Sequence, residues 1–189
     1  ETTNIALSHR RLSIIDLSDS GHQPMVSNCG RYTMVFNGEI YNHHLLRKKL
    51  ESSGIQYNWK GSSDTEVLLL AISTWGIRSA LQRSEGMFAI ALWDGIEKKL
   101  YLARDRFGEK PLYYGNIGKD FVFGSELKAL RTHPDFNNKL DRDSLASFLR
   151  YSYIPSPRSI YTDIYKLPSA HILCVDFERN QKTISSYWS

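Results

Sequence analysis

Apolar positions along the chain fall into short dense runs separated by turn residues. Residues 32–37 (YTMVFN) are rich in β-branched and aromatic side chains and predict a strand. Residues 87–93 and 100–104 are apolar runs joined by Asp94-Gly95-Ile96-Glu97, and Asp-Gly between such runs predicts a hairpin. Residues 112–114 and 121–123 flank a second turn at 118–120, and residues 171–177 and 183–188 flank a third at 178–181. Residues 45–53 are helical in composition, with Leu46 and Leu50 on one face and Gly54 as the stop. Ser63-Asp64-Thr65-Glu66 has the spacing of a capping box with Ser63 as N-cap. The helix it opens runs through Trp75 and is apolar on most faces, which predicts burial between layers. Residues 126–130 and 141–150 predict two further helices, the second capped by Asp141. Hairpins require antiparallel pairing, and the helices come in blocks between them. The expected fold is therefore α+β with layered antiparallel sheets.

Composition narrows the picture. Among 189 residues, 24 Lys and Arg stand against 20 Asp and Glu, a net charge of +4. The basic residues form only small knots (Arg10-Arg11, Arg47-Lys48-Lys49, Lys98-Lys99), so no nucleic-acid partner is expected. The longest apolar stretch, residues 67–72, is far short of the roughly 20 residues that span a bilayer, and no membrane partner is expected. Cys29 and Cys174 are far apart and no CxxC occurs, which argues against a disulfide scaffold or a cysteine-rich zinc site and fits the cytoplasm. His43-His44 lacks a third ligand and predicts an exposed helix start, so no metal is expected. Length and composition suit one domain over residues 1–189.

Three clusters could carry chemistry: His9-Arg10-Arg11-Leu12-Ser13-Ile14-Ile15-Asp16, Asn37-Gly38-Glu39-Ile40-Tyr41-Asn42 and Ser62-Ser63-Asp64-Thr65-Glu66. Singly, each has a plain reading: Arg11 as a surface ion pair, Asn37-Gly38 as a strand-ending turn, Asp64 as a first-turn acid on a helix dipole. Together they supply what a free amino acid requires. Arg11 offers a planar fork for a carboxylate, and Glu39 and Asp64 offer anions for an ammonium. Asn37 and Gly38 offer one side-chain and one backbone amide donor, a pair suited to the oxyanion of an acyl-transfer intermediate.

The segments HRRLSIIDLSDSGHQPM (9–25), FNGEIYN (36–42), SSDTEVLL (62–69), GMFAIALWD (86–94), LARDRFGEKPLYY (102–114), GSELKAL (124–130) and YSYIPSPRSIYTDIYKLPSA (151–170), with Tyr187-Trp188, occur in this order. In these, essentially the whole chain resembles the glutaminase domain of glutamine-hydrolysing asparagine synthetases of the bacterial B type. The resemblance implies an N-terminal-nucleophile hydrolase fold, a four-layer α-β-β-α sandwich. It implies that Arg11 binds the glutamine carboxylate and that Leu12, Ser13, Ile14 and Ile15 line the pocket. Asn37 and Gly38 would form the oxyanion hole, and Glu39 and Asp64 would meet the substrate amino end. The implied reaction is hydrolysis of glutamine to glutamate and ammonia through a cysteine thioester.

The match departs from the family at both ends. The family's nucleophile is a cysteine at the first position of the mature chain, whereas this sequence begins with Glu1 and only eight residues precede His9. Neither Cys29 nor Cys174 matches that position, so both are expected to be structural and the chain as given is expected to be inactive. A C-terminal synthetase domain is expected after residue 189. It would be the chain's own partner and would hold ATP and magnesium, with no cofactor in the glutaminase domain. A homodimer is a further expectation. Acceptors other than aspartate, such as a sugar acid, and a non-catalytic glutamine-binding role remain alternatives. Arg104-Asp105-Arg106 is open between an interdomain face and a local ion-pair network.

Overall fold

The computed structural model describes residues 5–10 and 21–189. Its elements in chain order are β1 (Met25–Val26), β2 (Tyr32–Ile40), α1 (His43–Ser52), α2 (Asp64–Trp75), α3 (Ile77–Arg83), β3 (Gly86–Asp94), β4 (Lys99–Arg104), β5 (Tyr113–Ile117), β6 (Asp120–Gly124), α4 (Leu127–Leu130), α5 (Arg142–Tyr151), β7 (Ile164–Lys166), β8 (His171–Asp176) and β9 (Gln181–Ser186). They build a six-stranded sheet in the order β1-β2-β3-β4-β8-β9 and a three-stranded sheet β6-β5-β7. Every pairing is antiparallel.

The strand period of two separates two cores. Met34, Phe36 and Ile40 of β2 and Phe88, Ile90 and Leu92 of β3 pack with α1, α2 and α3 through Leu46, Leu68, Ile72 and Leu81. The alternate residues Val35, Ala89, Ala91 and Trp93 pack with Leu100, Leu102, Leu173 and Val175 against the second sheet, where Leu112, Tyr114, Phe121 and Phe123 meet them. Beyond that sheet, Ile117 and Ile164 pack with Leu130, Phe136 and Tyr161. The layers therefore run helix, sheet, sheet, helix, the outermost being little more than α4 and the loop after it. With both faces of the large sheet covered, β3 reads as a continuous apolar run.

Several elements differ from expectation. Gly76 closes α2 and, with φ +77°, turns the chain into α3, a helix that the sequence did not announce. Short β7 was not legible, since three residues carry too little pattern. Residues 5–10 carry no regular secondary structure, and Ile5 and Leu7 pack against the inter-sheet core. α5 turns its polar side inward: Ser144 is fully buried, while Leu149 is 76% exposed. Asp141 caps it as expected, accepting the Ser144 N–H at 2.6 Å. No described helix is long and apolar enough to cross a membrane.

Candidate active site

Because side chains alternate along β2, Asn37 and Glu39 share the face of Val35, which looks into the space between the sheets. Opposite them on β3 stand Ala89 and Met87. The small alanines leave room, and a cavity of about 1040 Å³ opens there. Asn37, Gly38, Glu39 and Asp64 line it, together with Gln23, Ser63 and Thr65, and Phe123 and Ser125 close it from the second sheet. Its size is at the upper end for small-molecule sites.

The edge of β2 that faces away from β3 is arranged residue by residue. Gln23 takes both main-chain groups of Phe36: its Nε2 donates to the Phe36 carbonyl at 3.0 Å and its Oε1 accepts the Phe36 N–H at 2.6 Å. Two residues further, the Ile40 N–H donates to Asp64 Oδ2 at 2.8 Å. Gly38 lies between them on the same edge. Its β3 neighbour Phe88 spends its N–H and C=O on Asp105, so the Gly38 main-chain groups point the other way. Only glycine fits at this position: φ is +156°, and a Cβ would collide with the Met87 carbonyl oxygen and lie 2.7 Å from Phe88 Cα.

Asn37 is fixed from across the cleft, its Nδ2 donating to Ser125 Oγ at 3.1 Å. One amide hydrogen is thereby held and the other is available to a ligand. Asp64 opens α2 and is 5% exposed. Burial pushes its carboxyl above the ordinary value, against the opposing pull of the Ile40 and Thr65 N–H groups. Glu66 does not complete the capping box. Ser63 Oγ accepts from the Thr65 N–H, while Glu66 reaches back to Tyr57 OH at 3.1 Å, Lys60 N–H at 2.9 Å and Gly61 N–H at 3.1 Å. It thus braces the loop that leads into Ser63 and Asp64.

Four of the sequence-derived candidates, Asn37, Gly38, Glu39 and Asp64, come together on one cavity wall. Arg11, Leu12, Ser13, Ile14 and Ile15 lie outside the described residues. Cys29 and Cys174 are free thiols, and neither lines the cavity. His43 is buried instead of exposed, with Nδ1 donating to the Ile40 carbonyl at 2.8 Å. Among the described residues, no group of three or more His, Cys, Asp or Glu is arranged for a metal ion.

Among the described residues, Arg104-Asp105-Arg106 bonds to main-chain groups and forms no ion-pair network; Arg106 donates to the Gln82 and Ser84 carbonyls. Asp105, fully buried, accepts the N–H groups of Phe88, Phe107, Glu109 and Lys110. Arg104 donates to the Gly108, Lys110 and Leu167 carbonyls. The two neighbouring charges clamp one loop by its opposite main-chain groups.

Sequence reading missed Gln23, Ser125 and the actual use of Glu66. Glu66 had a visible signal, its capping-box spacing. Gln23 and Ser125 act across 13 and 88 residues, separations that no local pattern reports.

Two antiparallel sheets thus enclose a cleft lined by strand-end amides and acids. The description "glutamine amidotransferase domain" matches residues 1–188, and the chain belongs to that family. It is 36% identical over 98% of its length to glutamine-hydrolysing asparagine synthetase 3 of Bacillus subtilis, covering 30% of that protein. It is 32% identical over 98% of its length to a putative glutamine-hydrolysing asparagine synthetase 2 of Methanocaldococcus jannaschii, covering 38% of it. The chain thus spans only about a third of the length of these relatives. In fold it is similar to the glutamine phosphoribosylpyrophosphate amidotransferase of B. subtilis, with a TM-score of 0.63 at 20% identity, covering 95% of this chain and 34% of that one.

Proposed function

We propose that this chain is the glutamine-binding, ammonia-releasing half of an amidotransferase of the asparagine synthetase type. The observation that carries the reading is the β2 edge: the Gly38 N–H and the Asn37 amide converge on the cavity that Glu39 and Asp64 also line. Glutamine would place its ammonium against Glu39 and Asp64, with Arg11 taking its carboxylate. Its side-chain carbonyl would then lie at Asn37 and Gly38. A thiolate attacking that carbon generates an oxyanion, which the two donors stabilise. Collapse expels ammonia and leaves a thioester, and water cleaves the thioester to glutamate. Neither Cys29 nor Cys174 lines the cavity, so neither is assigned as the attacking thiolate.

ATP, magnesium and the acceptor, aspartate in this reading, belong to a further domain of the kind the longer relatives carry. Titration of the chain with L-glutamine by calorimetry tests the site. Saturable binding that Asp64→Asn weakens supports it, and absence of binding overturns it. Glutamate release by the chain itself would overturn the assignment of the nucleophile.

A further inference from the structure

Gln23 does for Phe36 what a neighbouring strand would do. Its side-chain amide matches a main-chain amide in shape and polarity, and it returns one donor and one acceptor to the same residue, at 3.0 and 2.6 Å. The true strand on this edge, β1, pairs only with Thr33 and Met34. Had β1 continued alongside β2, the alternation of an antiparallel ladder would have brought its main chain against Gly38 two residues later. The Gly38 N–H would then have been consumed by a carbonyl. A side chain ends where its amide ends, so Gln23 satisfies Phe36 and stops. On the other side, Asp64 satisfies Ile40 in the same way with its carboxylate. Gln23 is only 8% exposed and lines the same cavity as Gly38.

We infer that Gln23 is a positioning residue for the oxyanion donor: it terminates the β1–β2 ladder one pair short of Gly38, leaving that N–H as the open edge amide between two side-chain-satisfied neighbours. The inference deepens the proposed glutamine site and rests on that reading for its functional meaning. Its structural content stands separately. Both polar ends of the Gln23 amide are engaged by Phe36, so it acts on the site through the main chain. It keeps Phe36, and with it the end of β2, in the geometry that aims Gly38 into the cavity.

The test uses the isotope-labelled 189-residue chain and reads single amides by NMR. In the free protein, Phe36 and Ile40 N–H should exchange at least about 100-fold more slowly than Gly38 N–H. Adding L-glutamine should shift the Gly38 amide resonance. Gln23→Ala should release the Phe36 amide to fast exchange and weaken glutamine binding by about tenfold or more, while the Ile40 amide stays protected; melting should fall, because the buried Phe36 N–H and C=O both lose their partner. Gln23→Met, close in length but without either polar group, should do the same and covers the case in which the alanine variant fails to fold.

A Gly38 amide as protected as that of Phe36 in the free protein overturns the inference, as does Phe36 protection unaltered in both variants. If the wild-type chain shows the expected exchange pattern but binds no glutamine, the functional reading falls while the ladder-ending role of Gln23 holds. If glutamine binds equally well after Phe36 is released, the site reading holds and the positioning role falls.

Discussion

Asn37 and Ser125, 88 residues apart, are joined across the inter-sheet cleft by a hydrogen bond of 3.1 Å. The bond fixes which end of the Asn37 amide faces the cavity, because Nδ2 must donate to the serine oxygen. With Ser125→Ala the amide can rotate and present its oxygen, an acceptor, where a donor is required. The Asn37 side-chain NH₂ resonances should be sharp and distinct in the wild-type chain and broadened in this variant. In a protein that combines this domain with an attacking cysteine, Asn37→Ala should lower kcat by about 100- to 1,000-fold with little change in KM. An effect confined to KM would contradict a transition-state role.

If glutamine binds as proposed, Asp64 gives that binding a pH dependence. Burial raises its carboxyl above 3.8, and it must be ionised to attract an ammonium. Affinity should therefore fall as the pH is lowered through a midpoint above that ordinary value. Calorimetric titrations across the acid range should show this step in the wild-type chain, whereas in Asp64→Asn binding should be weak throughout and the step absent.

Asp94 shows the opposite sign and bears on stability. Burial works against its ionisation, but the Arg31 guanidinium, at 2.7 to 3.0 Å, and the Glu97 and Ile96 N–H groups outweigh it and depress the pKa. The stabilisation is present above about pH 3.8 and is lost as the pH falls through the depressed value. Asp94→Asn should lose about 1–3 kcal/mol at neutral pH by denaturant unfolding. The gap to wild type should close at strongly acid pH.

Glu66 should matter to the loop in front of α2. Replacing it with alanine strands the Lys60 and Gly61 N–H groups and the Tyr57 hydroxyl. Each stranded buried donor costs about 1–3 kcal/mol where water cannot reach it. Glu66→Ala should lower Tm clearly, and Tyr57→Phe, which removes one donor, much less. Equal losses in the two variants would show that the main-chain bonds contribute nothing.

The sequence by itself determined the antiparallel α+β character, the buried α2 and the clustering of Asn37-Gly38-Glu39 at one strand end. These are local: period, turn chemistry and capping act within a few residues. It also carried the resemblance that gives those residues a reading. The use of Glu66, whose spacing suggested a capping box, required the bend of residues 57–61 to be seen. The fate of Arg104-Asp105, which looked like charges awaiting partners, depended on which main-chain groups the loop 105–110 turned toward them.

Only the tertiary structure decided that Asp64 would reach Ile40, Ser125 would reach Asn37 and Gln23 would stand in for a strand beside Phe36. The reason is physical: a hydrogen-bonding edge is defined by which chain lies next to it. That neighbour is chosen by the packing of two sheets and a helix layer, whose contacts join residues far apart in sequence.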